Sequence, residues 1–301
     1  MIGFKLLISV VSVLLIPRAS PSLYPAQNAR PLMIGDTFTI DSKILGETRR
    51  INVYLPPGYK ESADSSVPVL YMPDGGIAED FLHIAGLVQV SVSNGTMRPF
   101  LLVGIENTER RRDMTGPTEN DDDKKIAARV GGSSAFRKFI RNELMPEVSS
   151  RYRTTRETAI VGESLAGLFV VETFLLEPDL FDTYISFDPS LWWNNARLLN
   201  RAAGQLRART KLKKTLYLAS SDEKGIAANA KRLAGILEAN APSTIRWHYE
   251  TMPGEKHSTI YHPAALKAFR ELFKPQTAQV TGGTQRRSLY RSGTIRRRAS
   301  Q

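Results

Sequence analysis

From residue 36 onward, short apolar runs of strand length alternate with stretches of helical periodicity, and this alternation restricts the possible folds more than any other feature. Runs at 38–45, 49–55, 67–72, 100–105, 158–161, 183–187, 215–219 and 245–251 have strand character. In the second, Ile51, Val53 and Leu55 share one face, and a turn at Gly46-Glu47 joins it to the first. Several others are almost continuously apolar, as a sheet covered on both faces requires. Between them, Phe136, Phe139, Ile140 and Leu144 are spaced for one helical face, as are Ile226, Ala230, Leu233 and Leu237. A last helix is expected over 263–273, with Pro263 in its first turn. The order predicts an α/β fold with a mostly parallel central sheet and helices on both faces.

The two ends of the chain differ from this body. Behind Lys5, residues 6–16 form an apolar run well short of the roughly 20 residues that a membrane-spanning helix needs. With small residues at Ser20 and Ser22, segment 1–22 reads as an export signal, so the protein is expected to be periplasmic or secreted. A buried N-terminal helix or strand is the alternative. The net charge of +11 is concentrated at the ends: residues 276–301 carry six arginines and no acid, and +3 remains on residues 23–275. The expectation is one domain over 23–275 followed by a basic, disordered tail, with no nucleic-acid binding by the body. Cysteine is absent, which excludes disulfides, thiolate metal sites and a cysteine nucleophile.

The strongest chemical signal is the stretch from Ala159 to Phe169, AIVGESLAGLF, in which a strand ends and an apolar helix begins around Ser164. That layout matches a nucleophile elbow, a tight strand-to-helix turn that lifts a serine hydroxyl clear of the sheet. The crowded turn needs small residues two before and two after the serine. Here they are Gly162 and Ala166, and Gly167 falls one place late. A helix N-terminus capped by serine is the plainer reading. A serine hydroxyl needs a base within hydrogen-bond reach, and the chain has four histidines, His83, His248, His257 and His262. His83 lies in a helical stretch, His248 inside a strand, and His262 at the start of the last helix, where capping explains it. His257 lies in a loop after the last strand and is the candidate base. The acid that orients the base is sought after the strand at 215–219, which selects Asp222, with Glu223 in reserve. A helix cap is the competing reading for Asp222. Backbone donors for a developing oxyanion are expected at Leu165, after the serine, and at Gly76 in the loop after the strand at 67–72.

Several longer blocks carry a resemblance. These are YMPDGG at 71–76, GIENTER at 104–110 with Asp113, the serine block at 162–169, DPSLWWN at 188–194, and His257 behind Gly254. The chain resembles the α/β-hydrolase putative-esterase family, which includes esterase D-like enzymes and periplasmic siderophore triester hydrolases. The resemblance spans about 36–274. It implies an α/β-hydrolase fold and ester hydrolysis through an acyl-serine intermediate, without metal or organic cofactor. It also implies that the turn at Asp74-Gly75-Gly76 supplies an oxyanion donor. The chain departs from the pattern at Glu163, where relatives often have histidine, and at Ala166, where they have glycine.

Trp192 and Trp193 follow the strand at 183–187 and are expected to wall an acyl or aromatic group of the substrate, with core packing as the alternative for one of them. Arg110, in the run Arg110-Arg111-Arg112, is expected to bind a carboxylate or catecholate group; a solvated charge run is the other reading. Asp121-Asp122-Asp123 reads as a solvated loop. The partner class is therefore a small or medium ester. The other readings are an acyltransferase of the same fold, a non-catalytic binding protein motivated by Glu163 and Ala166, and a nucleic-acid contact made by the tail alone.

Overall fold

The computed structural model describes residues 30–62, 64–209 and 211–275. The expected signal at 1–22 and the arginine-rich tail at 276–301 lie outside the described residues. Residues 30–34 are exposed and without regular structure, and the body begins at Gly35.

Eight strands build one sheet among the described residues. They are β1 (Asp36–Ser42), β2 (Glu47–Tyr54), β3 (Val67–Pro73), β4 (Leu101–Ile105), β5 (Thr154–Glu163), β6 (Thr183–Phe187), β7 (Thr215–Ser220) and β8 (Arg246–Thr251). Their spatial order is β1-β2-β4-β3-β5-β6-β7-β8. β1 and β2 form an antiparallel hairpin, β2 also runs antiparallel to β4, and every other pair is parallel. Because β3 to β8 run the same way, their C-terminal ends open along one edge, where ligands bind in open α/β sheets. The hairpin turn is longer than the sequence suggested: Ser42 pairs with Glu47, and Gly46 takes φ +68° to close it.

The helices are α1 (Phe81–Ser93), α2 (Arg110–Met114), α3 (Asp121–Lys125), α4 (Ser133–Phe139), α5 (Met145–Arg151), α6 (Ser164–Leu176), α7 (Trp193–Arg207), α8 (Lys224–Asn240) and α9 (Tyr261–Leu272). Side-chain alternation along the strands feeds two cores. Tyr71, Ile160, Tyr184, Leu216 and Leu218 point to one face, beneath α4, α6, α7 and α8. Leu70, Met72, Ala159, Val161, Ile185, Phe187 and Tyr217 point to the other, beneath α1 and α9. The chain thus has the expected α/β-hydrolase architecture of helices on both faces of a mostly parallel sheet. The apolar spacing at Phe136, Phe139, Ile140 and Leu144 is absorbed by a π turn at Ile140–Leu144 joining α4 to α5, and all four side chains are buried.

Two local expectations are corrected. Asp123 is buried rather than solvated: its carboxylate accepts from Thr118 Oγ1 and from the Asn194 amide, both at 2.7 Å. It helps to hold Asn194, Asn195 and Ala196 in three consecutive left-handed conformations at the start of α7 (φ 49°, 53° and 56°). Asn tolerates that region, whereas for alanine it costs about 1–2 kcal/mol. His262 does not cap α9 but lies inside it, its ring stacked on His83 at 4.9 Å.

Beneath the hairpin, Arg49 and Asp113 form a fully buried ion pair at 2.6 Å. Arg49 also donates to Glu47, Arg112 donates to both Asp113 and Glu47, and the Arg49 guanidinium lies 5.2 Å from the Phe136 ring centroid. Removing one member of such a pair strands a buried charge. Asp113→Ala is expected to lose about 3–5 kcal/mol of stability, read from the denaturant midpoint. Arg49→Met combined with Asp113→Leu should cost less than that single change, because the two charges that remain, Arg112 and Glu47, stay paired with each other.

Candidate active site

β5 ends at Glu163 and α6 starts at Ser164 with no intervening loop, so the chain must reverse within one residue. Ser164 accordingly takes φ +59°, a left-handed conformation that L-residues seldom adopt and that surrounding packing has to hold. Gly162 explains the small-residue pattern. A Cβ on it would lie 2.8 Å from the Ala166 Cβ, so the glycine is required two before the serine and a methyl is tolerated two after. Gly167 serves a different contact: a Cβ there would meet the Phe187 carbonyl oxygen at 2.8 Å, so it lets α6 pack directly on β6.

The turn brings together residues 93 positions apart. Ser164 Oγ lies 3.1 Å from His257 Nε2, and His257 Nδ1 lies 3.0 Å from Asp188 Oδ2. Asp188 follows β6, is wholly buried, takes φ +40°, and accepts from the Ser221 amide at 2.7 Å and from Ser221 Oγ at 2.6 Å. These bonds fix the carboxylate so that one oxygen faces the imidazole. The Asp188 hydrogen bond raises the His257 pKa above its ordinary value; burial opposes the rise and the Glu163 carboxyl adds to it.

Asp222 does not occupy the position expected of it. Its carboxylate pairs with Lys256 at 2.7 Å near the surface, and the next residue, Glu223, is the N-cap of α8. β6 adjoins β5, which carries the serine, whereas β7 lies one strand further out. The loop after β7 contributes Ser221, which anchors Asp188, and the loop after β6 contributes the carboxylate itself. The sequence did contain a signal, since Asp188 opens the DPSLWWN block. The rule that the acid follows the penultimate strand obscured it.

The expected oxyanion donors differ in state. Leu165 is in the first turn of α6, where N–H groups have no intrahelical acceptor. The Gly76 amide, by contrast, donates to Glu79 Oε2 at 2.7 Å, so this donor is already engaged, and Glu79 also accepts from the Asn107 amide. Arg110 is likewise engaged: Nε and Nη2 grip the Asp74 carboxylate at 2.6 and 2.8 Å, leaving 36% of its side chain exposed. That fork is therefore satisfied within the chain and is not an open anion site. The two tryptophans part company. Trp192 is 42% exposed, whereas Trp193 is 5% exposed and donates its indole N–H to the Gly116 carbonyl at 2.8 Å. Trp193 lines a cleft of about 320 Å³ that runs along α6 past Leu168 and Leu176. Ser190, unremarked in the sequence, places its hydroxyl 3.5 Å from that of Ser164.

Glu163 is the other group that the sequence noted without a role. Its carboxyl is largely buried and its Oε1 lies 3.2 Å from His257 Nδ1. Burial, with smaller contributions from Asp188 and Asp74, pushes its pKa up to about 8 against the pull of His257 and Arg110.

The chain is similar to known esterases. Ferri-bacillibactin esterase BesA of Bacillus subtilis (strain 168) is 26% identical over 258 residues, covering 79% of this chain and 89% of that protein. The siderophore triacetylfusarinine C esterase of Aspergillus fumigatus is 29% identical over 191 residues, 57% of this chain and 61% of its own length. Among solved structures, an IroE-like serine hydrolase from Shewanella oneidensis superposes with a TM-score of 0.72 at 28% identity, covering 80% of each chain. A family model described as Putative esterase matches residues 42–275. With the fold, the serine turn and this match in agreement, the chain belongs to the Putative esterase family, and its chemistry is carboxylic-ester hydrolysis.

Proposed function

We propose that this chain hydrolyses siderophore-type or aryl esters through an acyl intermediate on Ser164. The observation that carries the reading is the unbroken line from Ser164 Oγ through both His257 nitrogens to Asp188 Oδ2, in steps of 3.1 and 3.0 Å. His257 Nε2 takes the hydroxyl proton as Oγ attacks the ester carbonyl, and Asp188 stabilises the imidazolium that forms. The oxyanion is held by the Leu165 amide at the positive end of α6. Gly76 can join it only if Glu79 releases the amide. Nε2 then returns the proton to the departing alkoxide, and water repeats the sequence on the acyl-enzyme. Exposed Trp192 is placed to flank an aryl group, and Arg110 is held by Asp74 rather than free to receive an anion.

The siderophore part rests on the relatives, which are esterases of ferri-bacillibactin and triacetylfusarinine C. A panel of a catecholate trilactone (iron-loaded and iron-free), a hydroxamate ester and p-nitrophenyl esters tests it. At least one siderophore ester should exceed p-nitrophenyl acetate in kcat/KM by roughly tenfold or more, the return of about 1.4 kcal/mol of added binding in the transition state. Cleavage of simple esters with no siderophore turnover would restrict the chain to that class. We also read segment 1–22 as an export signal, supported by the apolar run behind Lys5. Among the described residues, no helix is long and apolar enough to cross a membrane.

A further inference from the structure

Two carboxyl groups converge on one imidazole nitrogen. Asp188 Oδ2 lies 3.0 Å and Glu163 Oε1 3.2 Å from His257 Nδ1, which carries a single hydrogen. Asp188 meets the hydrogen-bond geometry, and Glu163 Oε1 is sealed from solvent with no hydrogen-bond partner among the described residues. A buried, unbonded carboxyl oxygen costs free energy, and this one lies beside the group that becomes a cation during the reaction.

We propose that Glu163 is a positioning residue for His257: its carboxyl flanks Nδ1 beside Asp188 and, when ionised, favours the imidazolium formed as Ser164 gives up its proton. The inference rests on the Ser164–His257 reading given above. Electrostatically, Glu163 is faced by His257 from the loop before α9, by Asp188 from the end of β6, by Asp74 from the end of β3, by Arg110 of α2 and by fully buried Tyr261 of α9. His257 additionally senses Glu223 at the start of α8. Arg110 is the one permanent cation of this set, and Asp74 grips it directly. The proton inventory of the pair follows. At low pH both groups are protonated and His257 cannot act as a base. Loss of one proton leaves a state shared between neutral imidazole with neutral Glu163 and imidazolium with carboxylate. Loss of the second gives neutral imidazole beside a carboxylate, the most active form. Burial places the later step in the region of about 8, and the two steps belong to the pair rather than to either residue.

The test is the pH profile of kcat/KM for a p-nitrophenyl ester, measured on the whole chain. The wild type should rise in two steps, the upper one near pH 8. Glu163→Gln should rise once, at lower pH, to a plateau roughly tenfold below the wild type at alkaline pH, since an adjacent anion is worth a unit or more of imidazole pKa. A Glu163→Gln profile that keeps both steps, or is scaled down equally at every pH, would overturn the proposal. Should that variant fail to fold, the ring-proton resonance of His257 in the wild type, assigned by its loss in His257→Gln, decides. Two titration steps support the proposal, and a single step rejects it. If Ser164→Ala retains the wild-type rate, the underlying reading fails instead, whatever the shape of the profile.

Discussion

Replacing Ser164 with alanine is expected to lower ester turnover by about 10⁶-fold, and His257→Ala by a similar factor, because nucleophile and base act as one unit. The hydroxyl is a weak nucleophile until its proton has somewhere to go, and the only imidazole nitrogen at hydrogen-bond distance among the described residues is His257 Nε2, at 3.1 Å. Without the hydroxyl, the imidazole has no proton to accept. The two losses should therefore not add, and the double variant should be no slower than either single one. Residual turnover of roughly 10³–10⁴ over water is expected from the oxyanion donor and substrate binding alone. Steady-state assays with a p-nitrophenyl ester, on variants shown by thermal melts to be folded, check both points.

The second large effect separates two aspartates. Asp188→Asn should reduce kcat by about 10⁴-fold, because an amide can present N–H to Nδ1 and so favour the tautomer that carries its proton on Nε2, where it blocks the serine. The same change removes the anion that raises the His257 pKa, so the acid limb of the profile should move to lower pH. The sign follows from the base being active only when neutral: activity is lost as pH falls through the pKa of His257, and lowering that pKa lowers the pH of the loss. Asp222→Asn should leave kcat within about twofold. Its partner Lys256 is 67% exposed, and solvent screens a surface pair of this kind. Comparable losses from both substitutions would mean that the acid has been assigned to the wrong loop.

The contrast between these aspartates shows where the sequence is legible. The succession of strands and helices and the serine turn depend on local pattern, so β5, α6 and the small residues at Gly162 and Ala166 could be read directly. The location of His257 after the last strand is a consequence of parallel topology, and it too was readable. The carboxylate that faces His257 was not, because the choice between the loops after β6 and β7 depends on which strand adjoins the serine strand and on the φ of +40° that aims Asp188. Nor could the run Arg110-Arg111-Arg112 show that Arg110 is gripped by Asp74 and Arg112 by Glu47, since those partners are distant in the chain. The same holds for Trp192 and Trp193, identical neighbours of which one is buried on Gly116 and the other faces solvent. Glu163 was visible only as a departure from a pattern. Its closeness to His257 Nδ1 belongs to the tertiary arrangement.

The most direct measurement is covalent trapping with a fluorophosphonate, followed by intact mass and peptide mapping. One adduct per chain is expected, located on residue 164, slowed severalfold or more in His257→Ala and absent in Ser164→Ala. An unreactive wild type, or an adduct that persists when residue 164 is alanine, would contradict it.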